Sequence, residues 1–302
     1  MKWVKKGLVY GPDGKSPWAL HSALQPTPLV IDDVIRVFVG FRDIKGVSRV
    51  GFVDVSATDP SQIVNVSESP VLDVGIAGTF DDNGVVPTAI VRRDDSLYLF
   101  YAGYQLGHRA KFLVFSGLAT STDNGLTFVR RGAVPVCDRT DDEPFFRVIH
   151  TMMFDQGRWR AWYGAGNSFD VDGHKQYPRY NIRHAYSPDG IHLEDNPEVC
   201  IDMTGSEYRV GRPYVIKENE SYRMFFCSGT KQDGYRLAYA ESGDGLHWSR
   251  SSEQLLTLSS SGWDSRMQAY PAVVTCHDRT YMFYNGNDYG RDGFGYALLE
   301  SW

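Results

Sequence analysis

Residues 121–132 read STDNGLTFVRRG, and two later stretches repeat the phrase: SPDGIHLED from Ser187 to Asp195 and SGDGLHWSR from Ser242 to Arg250. The S-x-D-x-G or S-x-D-G portion reads as a tight turn, because Asp bonds back to nearby amides and Gly supplies a positive φ. The aromatic at its end, Phe128 or Trp248, is expected to begin a fourth strand. Residues 1–7, MKWVKKG, match only the tail of the phrase: Trp3–Gly7 aligns with Phe128–Gly132, while Ser301, near the other end, aligns with Ser121 and Ser242. The split copy predicts that the N-terminal strand completes the last repeat.

Working outward from these endings, five entry segments align at Pro26, Pro87, Thr151, Pro213 and Pro271: LHSALQPTPLV, DDNGVVPTAIV, FFRVIHTMMF, EYRVGRPYVI and SRMQAYPAVV. The period is roughly 60 residues. After each comes a polar turn and an aromatic-rich strand (VIRVFVG, LYLFYAG, WRAWYGAG, YRMFFCSG, YMFYNG), then a third strand and the repeated ending. β-branched and aromatic runs bounded by Gly, Asp and Asn are strand signatures. Four antiparallel strands per repeat, five times over, predict an all-β fold: a five-bladed β-propeller forming a single domain over residues 1–302, its ring closed by the N-terminal strand. On this reading Asp123, Asp189 and Asp244 are turn-formers rather than catalytic acids.

Composition narrows the function. Net charge is −6, with no basic stripe of the kind that neutralises phosphate backbones, so no nucleic-acid partner is expected. The N-terminus lacks an apolar signal core and no apolar run is long enough to span a bilayer, which predicts a cytoplasmic protein without membrane insertion. Cys137, Cys200, Cys227 and Cys276 are too scattered for a zinc site or a disulfide framework. No cofactor or metal is called for by ligand spacing.

The chain resembles the five-bladed propellers of the arabinanase, invertase and levansucrase superfamily, glycoside hydrolase families 43, 32 and 68. The likeness covers essentially the whole sequence and rests on the P-x-x-[VI] entry strands, the LYLFYAG and YRMFFCSG second strands, and YAESGDGLHW. FDDNGVVP, GRPYVI and YNGNDYGRDGFGYA look most like a bacterial branch that accompanies surface polysaccharide synthesis. The resemblance implies that the entry strands line a central channel and present three carboxylates there, one as base or nucleophile, one orienting and one general acid. Glycoside hydrolysis needs such a set, since one carboxyl protonates the leaving oxygen while another attacks or activates water. Residue by residue, the base position falls on Gln25, the orienting position on His150, and the acid near Gly211 or Arg212. No carboxylate stands at any of them.

If the entry strands face the axis, the mouth contains His21, Gln25, Asp81, Asp82, Asn83, Arg147, His150, Glu207, Arg209, Arg212, Asp264, Arg266 and Tyr270. That set is rich in fixed positive charge. Arginine presents a planar fork to carboxylate or phosphate oxygens, which predicts an anionic sugar ligand. The alternative is that the arginines pair with Asp81, Asp82, Glu207 and Asp264 and tie blades together. For acid–base chemistry the candidates are Asp81 and Glu207, each six positions before its proline, and His150, whose imidazole titrates near neutrality. The Gly- and Asn-rich loop at 284–295 is expected to shape one wall, with Asn287 and Arg291 as contacts, and Trp18 and Trp263 are candidate sugar-stacking platforms.

Three functions are open on this reading. The first is a glycosidase-like enzyme with relocated carboxylates, acting on a uronic or sialic-type sugar, a sugar phosphate or a nucleotide sugar. The second is a propeller that binds a sugar or nucleotide sugar without hydrolysing it. The third is an enzyme of different chemistry in sugar biosynthesis.

Overall fold

The computed structural model describes residues 1–172 and 175–302. Almost all regular structure is antiparallel strand, and several strands, such as residues 22–28 and 35–41, are buried continuously, as strands covered on both faces are. β1 (Lys2–Tyr10) stands apart from the first unit, which comprises β2 (His21–Ile31), β3 (Val34–Arg42), β4 (Ser48–Ser56) and β5 (Ile63–Val66), paired in that order. A second unit comprises β6 (Val85–Arg93), β7 (Ser96–Leu106), β8 (Phe112–Ser121) and β9 (Val129–Arg130). A third comprises β10 (Phe146–Asp155), β11 (Arg158–Asp172), β12 (Lys175–Ser187) and β13 (Glu198–Ile201). The fourth is β14 (Glu207–Glu218), β15 (Ser221–Thr230), β16 (Arg236–Ser242) and β17 (Ser249–Arg250). Last come β18 (Ala269–Cys276), β19 (Arg279–Asn285), the helical turn α1 (Asn287–Gly290) and β20 (Phe294–Ser301).

β1 pairs antiparallel with β20, Trp3 opposite Leu299 and Tyr10 opposite Phe294, so the first strand of the chain is the outer strand of the last sheet. The fourth strands after the Asp turns are short: β9 and β17 have two residues each. The turns themselves are built as their sequence predicts. Asp244 Oδ1 accepts from the amides of Leu246 and His247 and from Ser242 Oγ, and Gly245 takes φ 75°. Asp123 does the same for Ser121 and Thr127.

The apolar core is divided among the interfaces between successive sheets. Phe38 and Phe52 of the first unit pack with Leu99 and Phe115 of the second, and Phe100 and Leu118 of the second with Ile149 and Ala185 of the third. Trp162 and Ile182 of the third pack with Met224 and Phe226 of the fourth, and Phe225 and Tyr239 of the fourth with Met282 and Tyr284 of the fifth. Val37 and Val53 of the first also pack with Phe283 and Tyr296 of the fifth. The first strands meet on the inside: β2 contacts β6, β6 contacts β10, β10 contacts β14, β14 contacts β18, and β18 contacts β2. Among the described residues no helix is long and apolar enough to cross a membrane.

Candidate ligand site at the inner strands

Every inner strand slips register against its neighbour at the same point, between Leu24 and Thr27, Pro87 and Ala89, Ile149 and Thr151, Gly211 and Tyr214, and Ala269 and Ala272. A bulge re-aims the intervening side chain. At three of these points a non-glycine residue takes a left-handed backbone: Gln25 (φ 52°), Arg212 (φ 58°) and Tyr270 (φ 58°). Such a conformation costs about 1 kcal/mol or more and persists only where the surroundings enforce it. His150 occupies the bulge of β10.

Arg212 is only 2% exposed. Its Nη2 donates to Pro26 O at 3.2 Å and Thr27 Oγ1 at 3.1 Å, and its Nη1 donates to Thr88 O and lies 3.4 Å from His150 Nδ1. One guanidinium therefore ties β14 to β2, β6 and β10. Burial without a counter-ion pulls its pKa down to about 10. Arginine has no acceptor, so His150 Nδ1 accepts and the imidazole proton sits on Nε2. Burial, with the Arg212 charge adding to it, holds His150 well below the usual imidazole range and keeps the ring neutral.

Arg209, also in β14, is buried among tyrosines. Its guanidinium carbon lies 3.8 Å from the Tyr235 ring centre and 5.4 Å from that of Tyr289, and Nη2 donates to Tyr289 Oη at 3.1 Å. Tyr270 and Tyr289 stack at 6.4 Å with 28° between their planes, and Tyr235 meets both edge-on. At the rim, His21 lies near Arg42 and Arg291. Burial first, then these two charges, hold its pKa below the ordinary value.

The charge inventory is uneven. Among the described residues the buried arginines are Arg36, Arg147, Arg160, Arg209 and Arg212. The first three lie against Asp54 (2.7 Å), Glu143 (2.5 Å) and Asp155 (3.5 Å), whereas Arg209 and Arg212 have no carboxylate partner among those residues. Hydrogen-bonding capacity is uneven too. Gln25 Oε1, Thr88 Oγ1 and the Nε atoms of Arg42, Arg209 and Arg212 are buried without a partner among the described residues. Buried polar atoms are normally satisfied, so these orphans on the inner strands and at the end of β3 leave capacity that a ligand or water can fill.

The carboxylates singled out from sequence are placed differently. Asp81 accepts from Thr79 Oγ1, from Tyr101 Oη at 3.0 Å and from Arg130 Nε at 2.8 Å. Glu207 accepts from Ser228 Oγ, from the Thr204 amide and from Arg250 at 2.7 Å. Burial would raise the Glu207 pKa, but these hydrogen bonds, led by that of Arg250, hold it down to about 2. Asp264 repeats the pattern with Tyr284 Oη (3.1 Å) and Lys5 (3.1 Å), and Glu143 repeats it with Tyr163 Oη (2.7 Å) and Arg147. In four repeats, then, an acid before or at the start of the inner strand is clamped by a second-strand hydroxyl and a basic side chain. Asp81 and Glu207 share no partner, and each is committed within its own repeat. Glu143 escaped the sequence pattern because it lies eight positions before Thr151, whereas Asp81 lies six before Pro87.

Several expected contacts are occupied elsewhere. Arg147 pairs with Glu143, exposed Arg266 with Asp288, and Asp82 accepts from the Gly78 amide and from Asn83 Nδ2. Asn287 receives the amides of Arg266 and Met267 and donates to Gly262 O, so it organises its own loop. Trp18 donates to Glu68 O and packs edge-on to Phe41, and Trp263 packs on Tyr284 at 5.0 Å; both are packing residues rather than free platforms. Of the residues singled out from sequence, His21, Gln25, His150, Arg209, Arg212, Tyr270 and Arg291 have no carboxylate partner among the described residues and remain the candidates at the inner strands. Arg42 and Tyr289, passed over in the sequence, join them. Among the described residues no group of three or more His, Cys, Asp or Glu side chains is gathered to hold a metal ion.

No family model matches the chain. It is 35% identical over 305 residues to the uncharacterized protein Rv1502 of Mycobacterium tuberculosis strain H37Rv, with 100% of both chains covered, and equally to the uncharacterized protein MT1551 of strain CDC 1551. Among solved structures, a glycosyl hydrolase from Bacteroides ovatus superposes with a TM-score of 0.74 at 15% identity, covering 99% of this chain and 93% of that one. A thermostable family-43 glycoside hydrolase gives 0.70 at 16% identity, covering 95% and 93%. The fold is that of the family-43-type propellers.

Proposed function

Because the chain belongs to the family of the mycobacterial protein Rv1502 and carries a glycoside-hydrolase-type propeller fold, we propose that it recognises an anionic sugar where its inner strands converge. The frame we propose for that site is a ring of five four-stranded blades closed through β1. The β1–β20 pairing and the contact of β18 with β2 support it.

One observation carries the functional reading. Apart from Arg147 Nε, which lies against Glu143, the unfilled bonding capacity at the inner strands comprises two arginine Nε–H donors, one carboxamide acceptor and one hydroxyl, with Arg42 Nε at the end of β3 adding a third donor, and the two buried arginines of β14 have no acid beside them among the described residues. A ligand rich in acceptor oxygens completes that set; a neutral apolar one does not. A uronic or sialic-type sugar, a sugar phosphate or a nucleotide sugar has the required chemistry. Arg209 offers its fork to the carboxylate or phosphate, and Arg42 and Arg291 supply positive potential at the entrance. Gln25 Oε1 accepts from a sugar hydroxyl, His150 Nε2–H donates to one, and Tyr270 packs against the apolar face of the ring.

The geometry supports binding better than hydrolysis. Asp81 and Glu207 are both held by arginines, and Glu207, whose pKa is held low by that clamp, is a poor proton donor. Thermal stabilisation by a panel of sugars tests the reading, since a ligand at one hundred times its dissociation constant adds about 2.7 kcal/mol. Acidic or phosphorylated sugars are expected to stabilise the protein, and Arg209→Met to abolish the effect while leaving the unliganded melting temperature nearly unchanged. A preference for neutral oligosaccharides overturns the anionic site. Release of free sugar that depends on Asp81 and Glu207 makes the protein a hydrolase instead.

A further inference from the structure

A cleft of about 330 Å³ lies between the β7–β8 loop and the long β11–β12 hairpin, lined by Arg109, Ala110, Phe145, Phe169, Val171 and Gln176. Its chemistry is unlike that of the axis. Phe145 and Phe169 meet edge-to-face at 5.1 Å, and Val171 is 67% exposed. Gln176 has little bonding capacity to spare: Oε1 accepts the Lys111 amide at 2.8 Å, and Nε2 donates to Arg109 O. Those two bonds hold loop and hairpin together and fix the width of the opening. Apart from the Arg109 guanidinium, little polar side chain is left to satisfy a second sugar unit.

The cleft is joined to the tyrosines of the axial site. Phe145, Phe112 and Tyr104 pack in one cluster with Phe146 and Tyr180, and Tyr180 packs also in the cluster of Tyr235, Tyr270 and Tyr289. Phe146 and Tyr180 touch edge-on at 5.3 Å. Packed aromatic side chains therefore connect the wall of the cleft to the tyrosines around Arg209.

We propose that this cleft is an aglycone subsite: it takes the apolar, preferably aromatic, group joined to the anionic sugar, so that the natural ligand is an acidic glycoside of a hydrophobic alcohol rather than a stretch of plain polysaccharide. The inference rests on the anionic-sugar reading of the axis. The apolar walls exclude a polyol, whose hydroxyls would lose water there without replacement. The size suits one or two rings, at the lower end of small-molecule sites. Arg109, which has no carboxylate partner among the described residues, suits an electron-rich ring or a second anionic group at the cleft's end.

Two measurements on the full-length protein separate this inference from the one beneath it. Anilinonaphthalene sulfonate, an anionic aromatic probe, is titrated by fluorescence against the wild type, Phe169→Ala and Val171→Asp, with Arg209→Met as the axial control. Enhancement that is lost in both cleft variants and kept in Arg209→Met supports the subsite; enhancement indifferent to the cleft variants overturns it. Val171 is exposed, so its variant tests the cleft even where Phe169→Ala impairs folding. Methyl and phenyl glucuronides are then compared by calorimetry. The phenyl glycoside is expected to bind about tenfold tighter, an advantage that disappears in Val171→Asp. Equal binding of the two overturns the aglycone role with the anionic site intact, whereas failure of every acidic sugar to bind, with the probe still seated in the cleft, overturns the axial reading and the aglycone role with it.

Discussion

At the scale of single residues, His150 shows how much of the site's behaviour is electrostatic. The folded protein holds its imidazole neutral far below 6.5, where the unfolded chain takes a proton. Stability from this residue is therefore complete above about pH 6.5 and falls as the pH drops. The loss grows as the pH falls below the ordinary imidazole range. His184, pressed down to about 3 by burial and the neighbouring Arg160 and Arg158 charges, acts in the same direction. Denaturant unfolding at pH 7.5 and 5.5 checks this: His150→Gln is expected to show a shallower decline than the wild type, whatever its own offset. His150 was legible in the sequence as a candidate, but its role was not. Whether an imidazole is an acid, a base or a fixed donor depends on Arg212, which lies 62 residues away in the chain yet 3.4 Å away in space.

At the scale of elements, much of the strand plan was readable from periodicity and turn chemistry. The Asp turns, the aromatic second strands and the pairing of Trp3–Gly7 with the last strand all stand where the repeats predicted. The bulges were not readable. Gln25, Arg212 and Tyr270 precede proline, which marks a special backbone without saying that the side chain turns inward. The acids were legible as residues but their clamps were not, because an acid, a hydroxyl and a basic side chain far apart in the chain give no hint in one dimension that they will meet. The clamp makes a prediction at this scale. Asp81→Asn leaves Arg130 and Tyr101 without their anion in a site where Asp81 is 1% exposed, and is expected to cost about 3 kcal/mol. Binding of an acidic sugar to the folded fraction is expected to persist. Chemical unfolding and calorimetry on the same variant separate the two effects.

At the scale of the whole molecule, the first strand is as integral as any internal one. Trp3 is buried against Phe225, and Lys5 reaches Asp264 at 3.1 Å in the clamp of the last repeat. Removing residues 1–10 exposes the edge of β20 and deletes that cation, so the truncated protein is expected to lose several °C of melting temperature and to associate through the open strand. Unchanged melting and a monomeric profile by light scattering count against the closure. Arg212 gives the assembly a further property. In an open row of repeats each neighbour is held only by the next, and melting begins at an end and travels inward. Here one guanidinium is moored to carbonyl and hydroxyl oxygens of two other inner strands and to the imidazole of a third, so a blade that loosens at its rim remains tethered at its root. Fraying is therefore expected to stay local until that mooring gives way and the repeats unfold together, and coincident unfolding transitions by two probes, which separate in Arg212→Met, check this.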